Sequence, residues 1–354
     1  MGKTIIIVFF LGLLSIFQCE STEYDEHNAK TKSTKYKFTN TKINGVSFVS
    51  PHEKFSAELM KIPNQKIAAS WLCFMPFGFV QSESNQVQFN SKWQWWGERT
   101  DGVFNMIQMA QQQDYQIMLK PQIWIKHGEY TGHLSYTNET DWKAFEESYS
   151  KFILTFAHMA DSLQTELFCI GTELEQFVKN RPDYWHELIH EIRKVYSGKI
   201  TYAANWDEYT NTPFWKDLDF IGIDGYFPLS ELKSPSMTEI RKSWAPHKIQ
   251  MKHFADSIRS PILFTEYGYR SRDFSTHKPW ESDRGGKINL ELQSKAYEAI
   301  FKEIWKESYF AGGFLWKWFP DYNNVGGPDN MGFTPQRKPA ETVIKRYYGL
   351  DSSN

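Results

Sequence analysis

Cysteine is scarce. The 354-residue chain has three, Cys19, Cys73 and Cys169, which is no disulfide framework. Cys73 and Cys169 sit inside apolar runs (residues 71–74 and 167–170) and are expected as buried thiols. An excess of either charge is missing too. The 40 Lys+Arg against 42 Asp+Glu leave a net charge of −2, which argues for neither nucleic acid nor an anionic membrane surface as partner. No apolar run approaches the eighteen residues or so of a spanning helix; the longest is residues 5–17. No internal repeat is evident, and no Gly-rich phosphate turn follows the first expected strand, where residues 44–47 read Asn-Gly-Val-Ser. That counts against a doubly wound dinucleotide fold.

What the chain does have is aromatic surface: 17% of residues, with 14 Trp, 18 Tyr and 27 Phe. Most will fill a large core, but so many Trp also suit a site where flat rings stack on a ligand such as a sugar.

The first 19 residues read as a signal peptide. Lys3 precedes the apolar run 5–17, and Cys19 follows it as in a bacterial lipoprotein signal, although Phe17 and Gln18 are larger than such signals prefer. Export to the cell envelope or medium is expected, with a possible lipid anchor on Cys19 as the sole membrane attachment. Residues 20–41 are polar and read as a flexible spacer. Residues 42–349 are expected to form the catalytic domain, and 350–354 a tail.

From Lys42 onward, short apolar runs alternate with helical patterns. Eight strands are expected at 43–49, 67–74, 116–120, 167–171, 200–204, 220–223, 262–264 and 313–316. Nearly all are apolar throughout, as strands covered on both faces should be. Between them, apolar steps of three and four mark helices over 141–160, 188–196 and 290–304, while the connection after the fifth strand holds only a short helical piece near 213–218. The pattern predicts an α/β protein with a single (β/α)8 TIM barrel, monomeric, with long loops at 75–97 and 267–287 on the face where such barrels place their sites.

Two strand ends stand out. The fourth strand ends Ile170-Gly171-Thr172-Glu173 and the seventh Leu263-Phe264-Thr265-Glu266. A carboxylate closing a buried run is costly unless it finds partners there. Two Glu at strands four and seven face each other across a barrel mouth, as a proton donor and a nucleophile or base must for glycoside cleavage. Glu175 would share a face with Glu173 in an extended chain, but it follows Leu174, where the chain should already be leaving the strand. Trp124, Asn205, Tyr226 and Trp316 lie past other strands and are expected to bind substrate, as are His52 and Lys126; His127 is an even choice between site and loop. Asp207, Glu208 and Asp224 read as lining or structural groups. Tyr226 stands beside the seventh strand and is placed to hydrogen-bond Glu266.

A rival motif is His186-Glu187-Leu188-Ile189-His190, which matches the H-E-x-x-H zinc-peptidase helix. No third His follows at the required steps, and Leu188, Ile189, Ile192 and Val195 already form the stripe that packs the helix. The two His should therefore face away from the strand ends. No metal and no cofactor is expected.

The segments 170–174, 222–226 (Gly-Ile-Asp-Gly-Tyr), 264–269 (Phe-Thr-Glu-Tyr-Gly-Tyr) and 313–316 (Gly-Phe-Leu-Trp) carry a resemblance covering residues 42–348. The chain resembles the clan of retaining (β/α)8 glycosidases, and within it glycoside hydrolase family 113, whose characterised members are β-1,4-mannanases. The resemblance implies Glu173 as acid/base, Glu266 as nucleophile, and a β-linked polysaccharide or oligosaccharide as substrate, β-1,4-mannan first. Many clan members carry Asn before the acid/base Glu and use it on the sugar 2-hydroxyl; Thr172 stands there, so that contact must come from another residue. A glycosidase for another β-glycan and an inactive carbohydrate-binding barrel remain the alternatives.

Overall fold

The computed structural model describes residues 41–81, 84–125, 129–281 and 285–351, together with Gly2. The expected signal peptide, spacer, Cys19, Lys126 and His127 lie outside these residues.

Ten strands form. They are β1 (Ile43–Phe48), β2 (Trp71–Phe74), β3 (Phe77–Phe79), β4 (Gln116–Leu119), β5 (Gln122–Trp124), β6 (Leu167–Thr172), β7 (Lys199–Asn205), β8 (Ile221–Asp224), β9 (Ile262–Tyr267) and β10 (Phe310–Trp318). Eight close into a parallel barrel in the order β1, β10, β9, β8, β7, β6, β4, β2. These are the eight strands expected, with shifted ends. The second begins later because Ile67 closes a helix that ends on Ala68 in the left-handed region (φ 55°). The two remaining strands, β3 and β5, pair in parallel above the barrel mouth, Phe77 opposite Gln122 and Phe79 opposite Trp124.

The helices are α1 (Ile62–Ile67), α2 (Thr100–Gln111), α3 (Glu139–Ser162), α4 (Glu175–Asn180), α5 (Pro182–Val195), α6 (Met237–Ile258), α7 (Leu290–Ile300) and α8 (Pro339–Asp351). Asn138 caps α3 and Ser236 caps α6 with a reciprocal Glu239. Between β7 and β8 there are only two short 3₁₀ turns, at 209–211 and 215–217.

Two apolar layers result. One lies between barrel and helices and takes Phe145, Phe152 and Phe156 of α3, Leu188 and Ile192 of α5, and Trp244 of α6. The other fills the barrel with alternate strand residues, among them Trp71, Cys73, Met118, Leu167, Cys169, Leu263 and Phe314. Both described cysteines are free and buried there. The last helix is pinned to the barrel by Tyr348, whose hydroxyl donates to the Gly45 carbonyl (2.9 Å) and meets the Tyr267 hydroxyl at 2.7 Å. Closure between β10 and β1 depends on Gly312. It sits at φ +118°, and a Cβ there would meet the Ile43 backbone at 2.3 Å.

Candidate active site

Each barrel strand delivers its last side chains to one mouth. Glu266, at the end of β9, is buried, and its carboxylate is bonded on both oxygens. Oε1 accepts from Lys120 Nζ at 2.6 Å and from Gln122 Nε2 at 3.1 Å; Oε2 accepts from Tyr226 OH at 2.7 Å. Three donors aimed at one carboxylate fix its orientation.

Asp224, at the end of β8, neighbours Glu266 in the strand register. Its Oδ1 accepts from Thr265 Oγ1 at 2.7 Å and from Lys120 Nζ at 3.3 Å. Burial and the Glu266 charge push its pKa up to about 7, against the pull of Lys120. Lys120 is wholly buried. Burial alone would lower its pKa, but the charges of Asp224 and Glu266 outweigh that and raise it, so it stays an ammonium. Asp224 shares Lys120 with Glu266 and is bonded to the neighbouring Thr265, which makes it a support for Glu266.

Glu173 follows β6 directly. Its backbone N–H donates to the Ala203 carbonyl of β7 at 2.8 Å while its φ is +50°. A non-glycine residue held in that region costs about 1–3 kcal/mol, and such strain collects at functional sites. The turn aims the half-buried carboxyl into the mouth, and burial together with the Asp224 and Glu266 charges raises its pKa well above the ordinary range. Glu175 becomes the first residue of α4 and points to a separate recess.

Glu173, Asp224, Tyr226 and Glu266 line one cavity of about 1100 Å³. Trp124 and Trp316 line it too, so the structure brings six of the residues singled out in the sequence together. Its outer wall is aromatic: Trp93 and Trp95 from the loop after β2, Trp280 from the loop after β9, and Phe77 and Phe79 of β3. Trp93 is 84% exposed. Two polar atoms in the wall, Thr172 Oγ1 and Asp224 Oδ2, are buried without a hydrogen-bond partner among the described residues.

Asn205 borders instead a smaller recess of about 520 Å³ that shares Glu173 and Tyr130 with the main cavity. His52 is not in the lining. It is exposed on the loop after β1 and tilts against Trp95, ring centroids 5.7 Å apart. On α5, His186 Nδ1 pairs with Asp217 Oδ2 at 2.7 Å on the outer surface, and Leu188, Ile189 and Ile192 of the same helix are buried. Among the described residues no group of three or more His, Cys, Asp and Glu is gathered to hold a metal.

Sequence reasoning did not single out Lys120, although it closes an apolar run just as Glu173 and Glu266 do. It also passed over Gln122, Arg270 and Lys317, which line the cavity. Gln122 is aimed by β5, a strand that exists only because β3 pairs with it.

The model of Glycoside Hydrolase Family 113 matches residues 43–338. Among solved structures, a GH113 β-1,4-mannanase complex is 25% identical with a TM-score of 0.76, covering 87% of this chain and 99% of its own. The GH113 β-mannanase AaManA from Alicyclobacillus acidocaldarius is 23% identical with a TM-score of 0.77, covering 89% and 99%. A Faecalibacterium prausnitzii β-glucuronidase shares the fold at 15% identity and a TM-score of 0.57, over 88% of this chain and 49% of its own. No curated protein sequence matches. A match of family model and mannanase folds over nearly the whole barrel makes the protein a glycoside hydrolase with a carbohydrate substrate: the chain belongs to glycoside hydrolase family 113.

Proposed function

We propose that the protein is an exported, retaining endo-β-1,4-mannanase in which Glu266 is the nucleophile and Glu173 the acid/base. The observation that carries the roles is the contrast between the two carboxyls in one cavity. Glu266 accepts hydrogen bonds from Lys120, Gln122 and Tyr226, whereas burial and the charges beside it raise the pKa of Glu173. Two carboxyls in such different surroundings divide the work, one as nucleophile and one as acid.

Glu266 attacks the anomeric carbon as Glu173 gives its proton to the departing oxygen. With that negative charge spent in the covalent bond, Glu173 takes a proton from water, which then displaces Glu266. The aromatic wall supplies stacking surface for successive sugars, and a volume of about 1100 Å³ stands above the range of about 300–1,000 Å³ usual for a small-molecule site. Mannan as the chain cleaved rests on the GH113 mannanases to which this protein is similar.

The test is a reducing-sugar assay on mannan, glucomannan, xylan, cellulose and galactan, followed by Glu173→Ala with an activated aryl glycoside and azide. Mannan hydrolysis and a β-configured glycosyl azide are expected. Activity confined to another β-glycan removes mannan and leaves the chemistry; full activity of Glu173→Ala removes the acid/base assignment. Anchoring by a lipid on Cys19 is checked separately, since Cys19→Ala is then expected to leave the membrane fraction or remain unprocessed.

A further inference from the structure

Two lysines stand near Glu266, and only one of them is accounted for. Lys120 has carboxylate oxygens at 2.6 and 3.3 Å. Lys317, on β10, has none within ion-pair distance among the described residues; its ammonium lies over the rings of Trp316 (5.1 Å) and Phe319 (5.3 Å). A second cation shares the wall. Arg270, just past β9, sits over the Phe333 ring at 4.3 Å. Burial and the nearby Arg270 charge depress the Lys317 pKa, and the Glu266 charge works against them.

Both cations line the main cavity and also a side recess of about 210 Å³ that opens beside it, with Trp316, Phe333, Asn330 and Phe319 among its other walls. The recess is therefore a branch off the substrate cavity on the β9–β10 side, next to the carboxylate that attacks the sugar. Neutral hydroxyls could be bound there by amides or hydroxyls without gathering like charges in a partly desolvated wall. An anion recovers that cost, because Lys317 then gains a charge-assisted hydrogen bond in a place where water screens it poorly.

We propose that the sugar bound beside Glu266 carries an anionic substituent, a carboxylate or a sulfate ester, which enters the side recess and is held by Lys317 and Arg270. The inference takes the glycosidase site proposed above as given and names the class of sugar it accepts: an acidic β-glycan, or a mannan with acidic decoration. The rings that lie against the two cations, Trp316 and Phe319 for Lys317 and Phe333 for Arg270, are themselves walls of the recess.

The test compares kcat/KM on β-1,4-linked mannooligosaccharides with that on oligosaccharides of the same length carrying a uronate or a sulfate ester, the two anionic arms separating the two sources of charge. At least a tenfold preference for one anionic series is expected. Lys317→Met should reduce that preference at least tenfold and Lys317→Arg should restore most of it. Because the methionine variant could fold poorly, the unmodified enzyme is also titrated calorimetrically with mannuronate, mannose 6-sulfate and mannose, which need no turnover. At least one anionic sugar should bind tenfold tighter than mannose, less so at high salt.

Equal or weaker binding of both anionic sugars, or a preference untouched by Lys317→Met, overturns the inference. Cleavage of neutral mannan without anionic preference leaves the mannanase reading intact; cleavage of the acidic series alone removes neutral mannan and supports the inference.

Discussion

At the scale of single residues, the site is governed by where charge is allowed to sit. Lys120 holds together two carboxylates that could not otherwise be buried side by side, with Asp224 at 3.3 Å and Glu266 at 2.6 Å. Removing one partner of such a buried group leaves uncompensated charge and costs about 3–5 kcal/mol. Lys120→Met is therefore expected to lose about that much stability in denaturant unfolding, and kcat/KM is expected to fall at least a thousandfold, since Glu266 then loses the charged donor that holds its Oε1 in place. Adding Asp224→Asn to Lys120→Met should return part of the stability, because one carboxyl then remains without a charged neighbour. A double variant no more stable than the single one contradicts the cluster. The sequence showed Glu173 and Glu266 for a reason that applies to Lys120 as well: an apolar run that ends on a charge must have partners for it. His52 stands outside the cavity lining because a strand-end position says nothing about which way an exposed loop turns.

At the scale of elements, apolar periodicity exposed the barrel because its strands are covered on both faces, and it exposed α3 and α5 because each presents a continuous stripe. It was silent on α6, whose buried positions Ile240, Trp244, Met251 and Ala255 are sparse and interrupted by Pro246. It was silent also on α4, whose six residues are too few to show a period. The β3–β5 pair could not be read at all, since each strand has three residues and is stable only against the other. Some closure points are equally invisible in a pattern of apolar residues. Gly312 is one: its φ of +118° excludes side chains, and a Cβ would press on the Ile43 carbonyl across the β10–β1 seam. Gly312→Ala is expected to cost about 3 kcal/mol or more, from strain and from parting of that seam. A thermal midpoint within a degree or two of the parent would show that the seam adapts.

At the scale of the whole molecule, the site works against stability, and pH reveals the amount. Glu173 and Asp224 both have raised pKa values in the folded protein, Asp224 to about 7, from burial first and neighbouring carboxylates second. Between the unfolded value near about 4 and the folded value, the native state holds more protons than the unfolded chain. Stability contributed by these two groups therefore falls as pH rises through that window. Lys338 acts in the opposite sense at higher pH. Burial depresses it to about 7, so its deprotonated native form gains on the unfolded ammonium from about pH 7 to about 10. Replacing Glu173 by Gln removes a carboxyl that must otherwise ionise at a cost. Glu173→Gln is thus expected to raise the thermal midpoint, with a gain that is small at pH 5 and larger at pH 8, while hydrolysis of mannan is lost. With an activated aryl glycoside, whose first step needs little protonation, the alkaline limb of the pH–rate profile for that step should vanish in Glu173→Gln and the acidic limb should remain. A midpoint shift independent of pH, or an alkaline limb that survives the substitution, would mean that the proton held at neutral pH belongs to another group, and Asp224→Asn under the same two measurements would identify it.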